Sequence, residues 1–232
     1  MPPPIPPTPL KSSPPKIKII FILGPPGIGK GTQCTLLTQT PFPPTPSKTP
    51  SPTIHHLSIG EILRTELSNP HSKWAPIIRT NMASGRTGPP EMTVSMLKSV
   101  MDGKMKMKME SGEGGEGEGE IGEIVFLIDG FPRSTDRIAL FESTISPPTL
   151  VISLTSPLHI LQSRLLYRAK TSTRIDDGNT IMQKRFEQHV YATEPVIAHY
   201  RERGLLVEID GSGSVEVVQE EMRRVVGRVL GL

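Results

Sequence analysis

Five short runs rich in apolar and β-branched residues recur along the chain, at 17–23, 54–57, 124–128, 150–154 and 206–209. Four of them are nearly continuous in apolar character, the pattern of strands covered on both faces rather than the alternation of a half-solvated sheet. Between the runs lie stretches with helical spacing, at 30–38, 59–67, 72–84, 91–102, 134–143, 157–169, 179–202 and 214–230. Strand and helix alternating in this order predict an α/β fold with a five-stranded parallel sheet and right-handed crossovers.

Three stretches break the pattern. Residues 1–15 are mostly proline and polar residues, which predicts a disordered, extended tail. Residues 41–53 (PFPPTPSKTPSPT) repeat that composition between a helix and a strand and read as a surface loop. Residues 103–123 pass from a Lys/Met alternation into a Gly/Glu tract, and the whole stretch is expected to be a flexible excursion. These stretches account for much of the 25 prolines and 21 glycines, so the 35% hydrophobic content understates the core of the rest. A chain of 232 residues has room for one domain, and 16–232 is expected to form it.

Charge and cysteine content narrow the classes only modestly. A net charge of +3 suits a protein that holds polyanionic ligands as well as one that touches nucleic acid. The single cysteine, Cys34, excludes an internal disulfide and a cysteine-based zinc site, and it fits a reducing compartment. Its place on the helix after residue 30 suggests a packed small hydrophobe, and Trp74 is expected in a core rather than under a base. The N-terminal stretch lacks the apolar segment of a signal peptide, and no run reaches the roughly 18 apolar residues of a membrane span. The expectation is a soluble, cytoplasmic protein, with a nuclear pool as an option, and with neither membrane nor nucleic acid as partner.

The first strand runs directly into Gly24-Pro25-Pro26-Gly27-Ile28-Gly29-Lys30-Gly31-Thr32. This is a phosphate-loop pattern with Gly31 in place of the usual hydroxyl residue and Thr32 one step later. Glycines let backbone N–H groups turn toward phosphate oxygens, and the following helix N-terminus adds partial positive charge. Gly27, Ile28, Gly29, Lys30, Gly31 and Thr32 are therefore the candidate ATP-binding residues, Lys30 supplying a mobile cation to the transferring group.

Three further motifs follow in order: Leu57-Ser58-Ile59-Gly60-Glu61-Ile62-Leu63-Arg64, then Asp129-Gly130-Phe131-Pro132-Arg133, then Arg174-Ile175-Asp176-Asp177. With GPPGIGKGTQ they resemble the adenylate kinase and UMP-CMP kinase family of nucleoside monophosphate kinases. The resemblance covers nearly all of 16–232 apart from the two internal insertions. It implies a three-layer P-loop fold with a small helical acceptor-binding insertion at about 58–90 and a short lid at about 169–179. It also implies that Arg64 and Arg133 clamp the acceptor monophosphate, with Ser58, Gly130 and Arg137 beside them and Gly85, Arg86, Glu91, Met92 and Thr93 in the wall. Arg168 and Arg174 would close over the donor, Arg185 would bridge donor and acceptor phosphates, and Asp176 and Asp177 would order the lid arginines. Asp129 would hold magnesium through water, so ATP and Mg2+ are the implied donor and cofactor, acting on a monomer.

The chemistry agrees with that casting. A monophosphate oxygen is already anionic near neutral pH, so the acceptor needs positioned cations rather than a general base. Guanidinium groups meet that need, because the transition state spreads negative charge over phosphoryl oxygens. Arg164 and Arg168 stand four apart on one helix face. Arg164 could equally be a solvated surface charge.

Two features lean toward pyrimidine acceptors. Asn69-Pro70-His71-Ser72 looks like the corresponding stretch of UMP-CMP kinases, and GFPRSTDRIALFE is similar to the fungal uridylate kinase version. RIDDGNTI and ATEPVIAHYRERG are equally close to cytosolic adenylate kinases. Arg137 stands where relatives usually carry Gln or Asn, and Gly88-Pro89-Pro90 replaces a Val-Pro-Val-like stretch. An arginine offers donors only, which suits uracil O4 or cytosine N3 better than the amino group of adenine. The expected reaction is ATP-dependent phosphorylation of UMP or CMP, dCMP included. The alternatives are an adenylate kinase acting on AMP and a catalytically silent nucleotide-binding interaction protein.

Overall fold

The computed structural model describes residues 16–40, 42, 51–110, 122–171 and 179–232. The predicted tail 1–15 lies outside them, as do Arg174, Asp176 and Asp177 of the expected lid. The described strands are β1 (Ile17–Leu23), β2 (Thr53–Ser58), β3 (Ile124–Asp129), β4 (Leu150–Thr155) and β5 (Leu206–Asp210). They form a single parallel sheet in the order β2-β3-β1-β4-β5. Each predicted strand is present, extended by one or two residues at an end or unchanged.

Alternation along these strands divides the core in two. Ile19, Phe21, Leu23, Phe126 and Ile128 point to one side, and Ile20, Ile22, Val125, Leu127 and Ile152 to the other. The first side is covered by α4 (Pro90–Glu110), α5 (Asp136–Thr144) and α8 (Glu194–Glu202), through Leu97, Met101, Phe141, Val196 and Tyr200. The second is covered by α1 (Lys30–Gln39), α6 (Leu158–Thr171) and α9 (Val215–Leu230), through Cys34, Leu37, Leu161, Met222 and Val226. Burial on both faces explains the continuous apolar runs. Two further helices, α2 (Ile59–Leu67) and α3 (Ala75–Ser84), join the start of α4 around a small core of Ile78, Met92 and Met96. Trp74 packs against that core, with the Lys73 ammonium 5.0 Å from its ring centre, as expected of a structural rather than a base-stacking side chain.

Three expectations are corrected. The excursion at 103–123 begins later, because α4 continues through the Lys/Met alternation to Glu110. Lys and Met are strong helix formers, Val94, Leu97 and Met101 continue one buried stripe into it, and Met105 packs against the same core. The surface loop at 41–53 is narrower: Thr53 opens β2, and Phe42 is buried with the Arg223 guanidinium over its ring. The single helix expected over 179–202 is interrupted. After α7 (Asn179–Gln188) comes one π-helical turn, His189–Thr193, before α8 begins.

Candidate functional site

At the C-terminal edge of β1 the chain must turn tightly into α1, and glycine makes the turn possible. Gly24, Gly27 and Gly29 have φ of 137°, 83° and 99°, all in the region that L side chains avoid. A Cβ on Gly24 would sit 2.6 Å from the Leu154 carbonyl oxygen, so β4 leaves no room for a side chain there. Helix α1 starts at Lys30 with Gly29 as its N-cap, no side chain caps it, and no acidic residue occupies its first turn. Its leading N–H groups and dipole therefore face the loop uncompensated, the arrangement that attracts an anion. Ile28 turns its side chain into the core, leaving only its backbone for a ligand.

Lys30 folds back across the loop and donates to the carbonyls of Gly24 and Pro25 at 2.9 and 3.0 Å. Burial lowers its pKa to about 8, with Arg133 and Arg185 adding repulsion that Asp129 partly offsets. Asp129 ends β3 and is buried. Burial alone would raise its pKa, but His56, Lys30 and Arg133 outweigh that and hold the carboxyl below its usual range. The His56 Nε2 lies 3.7 Å from the carboxylate, close but beyond a direct hydrogen bond.

The turn after β3 aims the next cation. Gly130 has φ of 75°, the Phe131–Pro132 peptide is cis, and Arg133 donates from Nε to the Gly130 carbonyl at 3.0 Å. Thr193, from the π-helical turn, reaches the Arg133 carbonyl at 3.4 Å. These groups open onto a cavity of about 880 Å³. Gly27, Gly29, Lys30, Gly31 and Thr32 line one end. Ser58, Arg64, Gly130 and Arg137 line the other, with Arg133 and Arg185 also in the wall. Arg64 pairs with Glu61 one helical turn back. Gly85, Arg86, Met92 and Thr93 line the same cavity, whereas Glu91 faces a separate groove between α4 and α5.

Arg137 is 4% exposed and fixed on three sides. Its Nη1 meets Ser134 and the Asp136 carboxylate, and its Nη2 donates to the Gly88 carbonyl. The two departures seen in sequence, Arg137 and the Gly88-Pro89-Pro90 stretch, thus form one contact in the cavity wall.

Arg164 has a structural task. It donates to the carbonyls of Gly211, Ser212 and Gly213 at 2.7, 3.2 and 3.0 Å, and to that of Ile28 at 3.5 Å, tying α6 to the phosphate loop and to the turn after β5. The side chain of Arg168, near the end of α6, lies outside the described residues with the lid. Cys34 is buried, and burial together with Asp129 pushes its thiol pKa well up, so it is a packed and unreactive group. Two histidines of the cavity wall, His56 and His189, lie outside every motif singled out in the sequence. A histidine inside a parallel strand is a polar interruption that could have marked His56. Nothing in the local sequence marks His189.

A single buried carboxylate at the end of a phosphate loop fits magnesium, which binds through one or two carboxylates plus substrate phosphates and keeps several waters. A Cβ on Gly31 would reach ordinary van der Waals contact with Asp129 Oδ2, at 3.5 Å, so the glycine leaves the space beside the carboxylate open. Among the described residues no group of three or more His, Cys, Asp or Glu could hold a metal unaided, and no helix is long and apolar enough to cross a membrane.

The family model described as adenylate kinase matches residues 22–205. The UMP-CMP kinase of Lentinula edodes is 37% identical over 93% of this chain and 88% of its own length. Adenylate kinase isoenzyme 1 of Homo sapiens is 35% identical over 88% and 91%. Adenylate kinase 1 of Schistosoma mansoni is 33% identical over 89% and 91%. A cation-lined cavity at the C-terminal edge of a parallel sheet and similarity along almost the whole length agree: the chain belongs to the adenylate kinase family and is a nucleoside monophosphate kinase.

Proposed function

We propose that the protein transfers the γ-phosphoryl group of ATP to UMP or CMP, dCMP included. The observation that carries the choice of acceptor is Arg137, a donor-only side chain held rigidly in the acceptor wall by Gly88, Ser134 and Asp136. Uracil O4 and cytosine N3 accept hydrogen bonds from such a group, while the adenine amino group does not. The similarity to a UMP-CMP kinase agrees with this reading. The nearly equal identity to adenylate kinases supports the second reading, AMP as acceptor.

The chemistry assigned to this chain is positioning and charge neutralisation. Backbone N–H groups from Gly27 to Thr32 hold the donor phosphates, and the Lys30 ammonium follows the phosphoryl group. Arg64 and Arg133 fix the acceptor phosphate in line, with Ser58 and Gly130 shaping its seat. Arg185 contacts both phosphate sets from α7. Arg168 and Arg174 close from the lid, ordered by Asp176 and Asp177, and exclude water that would compete as nucleophile. Asp129 would hold magnesium through water, and the ion would supply charge neutralisation at the donor phosphates. The protein acts as a monomer in this reading, and the buried free thiol of Cys34 suits the cytoplasm.

The test is the initial rate of diphosphate formation from magnesium-ATP with UMP, CMP, dCMP or AMP, using Lys30→Met as control. A higher kcat/KM for UMP or CMP, lost in the control, supports the reading, and Arg137→Gln should then move the balance toward AMP. A higher kcat/KM for AMP makes the protein an adenylate kinase. Binding of ATP without turnover of any acceptor would leave only the interaction role.

A further inference from the structure

The π-helical turn His189–Thr193 places a histidine in the cavity wall. A π turn brings residues five apart into register, and here it sets His189 Nε2 3.6 Å from the Glu194 carboxylate. The same turn carries Thr193 to the Arg133 carbonyl, so His189 is built into the wall rather than hung on a loose loop. Its side chain is 11% exposed. The charged groups around it come from several elements. Lys30 at the start of α1 and Arg133 after β3 both act on it, and Glu194 on α8 faces its Nε2. Arg185 on α7, Asp129 on β3 and His56 on β2 share its cavity. In the empty site burial and the charges of Lys30 and Arg133 hold the imidazole neutral, with a pKa of about 4.

Phosphate changes that balance. An ATP polyphosphate brings several negative charges to Lys30 and Arg133, which offsets their repulsion of a third cation and attracts one directly. We propose that His189 is a further phosphate-facing residue of the cleft, which takes up a proton from solvent when nucleotide binds and shares the phosphate charge with Lys30 and Arg133. Glu194 supports the charged form from behind. The inference rests on nucleotide binding and not on the identity of the acceptor base.

Proton uptake on binding makes affinity depend on pH. Between the midpoints of the bound and empty protein, the contribution of His189 strengthens binding about tenfold for each unit that pH falls. His189→Gln keeps a polar group of similar size and removes that contribution.

The test follows 13C-labelled histidine by NMR from pH 5 to 8, on the full chain empty and saturated with a magnesium-free, non-hydrolysable ATP analogue. The signal missing in His189→Gln assigns His189, and the amides of Gly27 and Gly29 report binding in the same samples. The expected result is a neutral imidazole throughout in the empty protein and a titration within this range in the bound one. The ratio of analogue Kd between His189→Gln and wild type should then be several-fold at pH 5.5 and close to one at pH 8. Glycine amides that shift while His189 stays neutral overturn the inference and leave nucleotide binding intact, as does a Kd ratio that is flat with pH. Glycine amides that do not shift overturn both.

Discussion

Arg133 is held by its own turn, and the Nε bond to Gly130 leaves its guanidinium little freedom. Preorganised charge of this kind costs no reorganisation at the moment of transfer. Arg133→Ala should lower kcat by about 100- to 1,000-fold, with circular dichroism and Tm near those of the parent. A folded variant with near-normal turnover would remove the assigned role. Lys30 makes the opposite point about stability. Its pKa is lowered to about 8, so the unfolded chain holds the proton more tightly than the folded one. Between pH 8 and the unfolded value the unfolded state binds more protons, and stability rises with pH across that window. Below it the charged amine costs up to about 3 kcal/mol. Lys30→Met should therefore abolish turnover while raising the Tm of the empty protein at pH 7, and it should flatten the rise above pH 8. A lower Tm for the variant at pH 7 would contradict this account. The sequence made these two residues legible because each sits in a motif whose order fixes its geometry. His189 was not legible, since its place depends on a π turn that no residue in 179–202 announces.

The strands were legible at the scale of elements, because burial on both faces leaves continuous apolar runs in four of the five. Helix α4 was only half legible. The strict Lys/Met alternation disguises a stripe at four-residue spacing, in which Leu97 and Met101 are buried and Met105 packs beside them, while Met107 and Met109 stay exposed. Lys98 and Asp102, at 2.7 Å, and Lys106 and Glu110, at 3.7 Å, add helical pairs among its exposed side chains. Lys104 and Lys108 extend far enough over the sheet to act on His55 of β2, whose pKa is lowered by burial first and by these two charges second. Met101→Ala should cost about 2–3 kcal/mol in urea unfolding, and Met107→Ala no more than about 0.5 kcal/mol. Equal effects would mean that the alternation does not sit on the core as described. Pinning of the phosphate loop is also an element-scale device that spacing alone could not assign. Arg164 could be read as a surface charge or a ligand contact, and four carbonyls decide that it binds α6 to the loops beneath.

The site belongs to the whole molecule, since its described wall draws on the phosphate loop, β2 and β3, the α2–α4 unit and the α7–α8 junction. Like charges gathered in one cavity repel one another until an anion binds between them. Lys30, Arg133 and Arg185 are three such charges, and Arg133 and Arg185 both act to lower the pKa of Lys30. Ligands that neutralise them should stabilise the fold beyond the contacts they make. Mass action alone gives about 2.7 kcal/mol at one hundred times Kd, or a rise in Tm of roughly 5–11 °C for a chain of this size. A non-hydrolysable ATP analogue and UMP should each raise Tm, and the pair together should raise it more than either alone but by less than the sum of the two. Both ligands are anions, so each reduces the pull of the shared cations on the other, and by the same factor in both directions. In Lys30→Met the analogue's shift should shrink while the shift from UMP persists. Scanning calorimetry with each ligand alone and with both would measure this. A combined shift no greater than the larger single one would show that donor and acceptor compete for one seat instead of filling two.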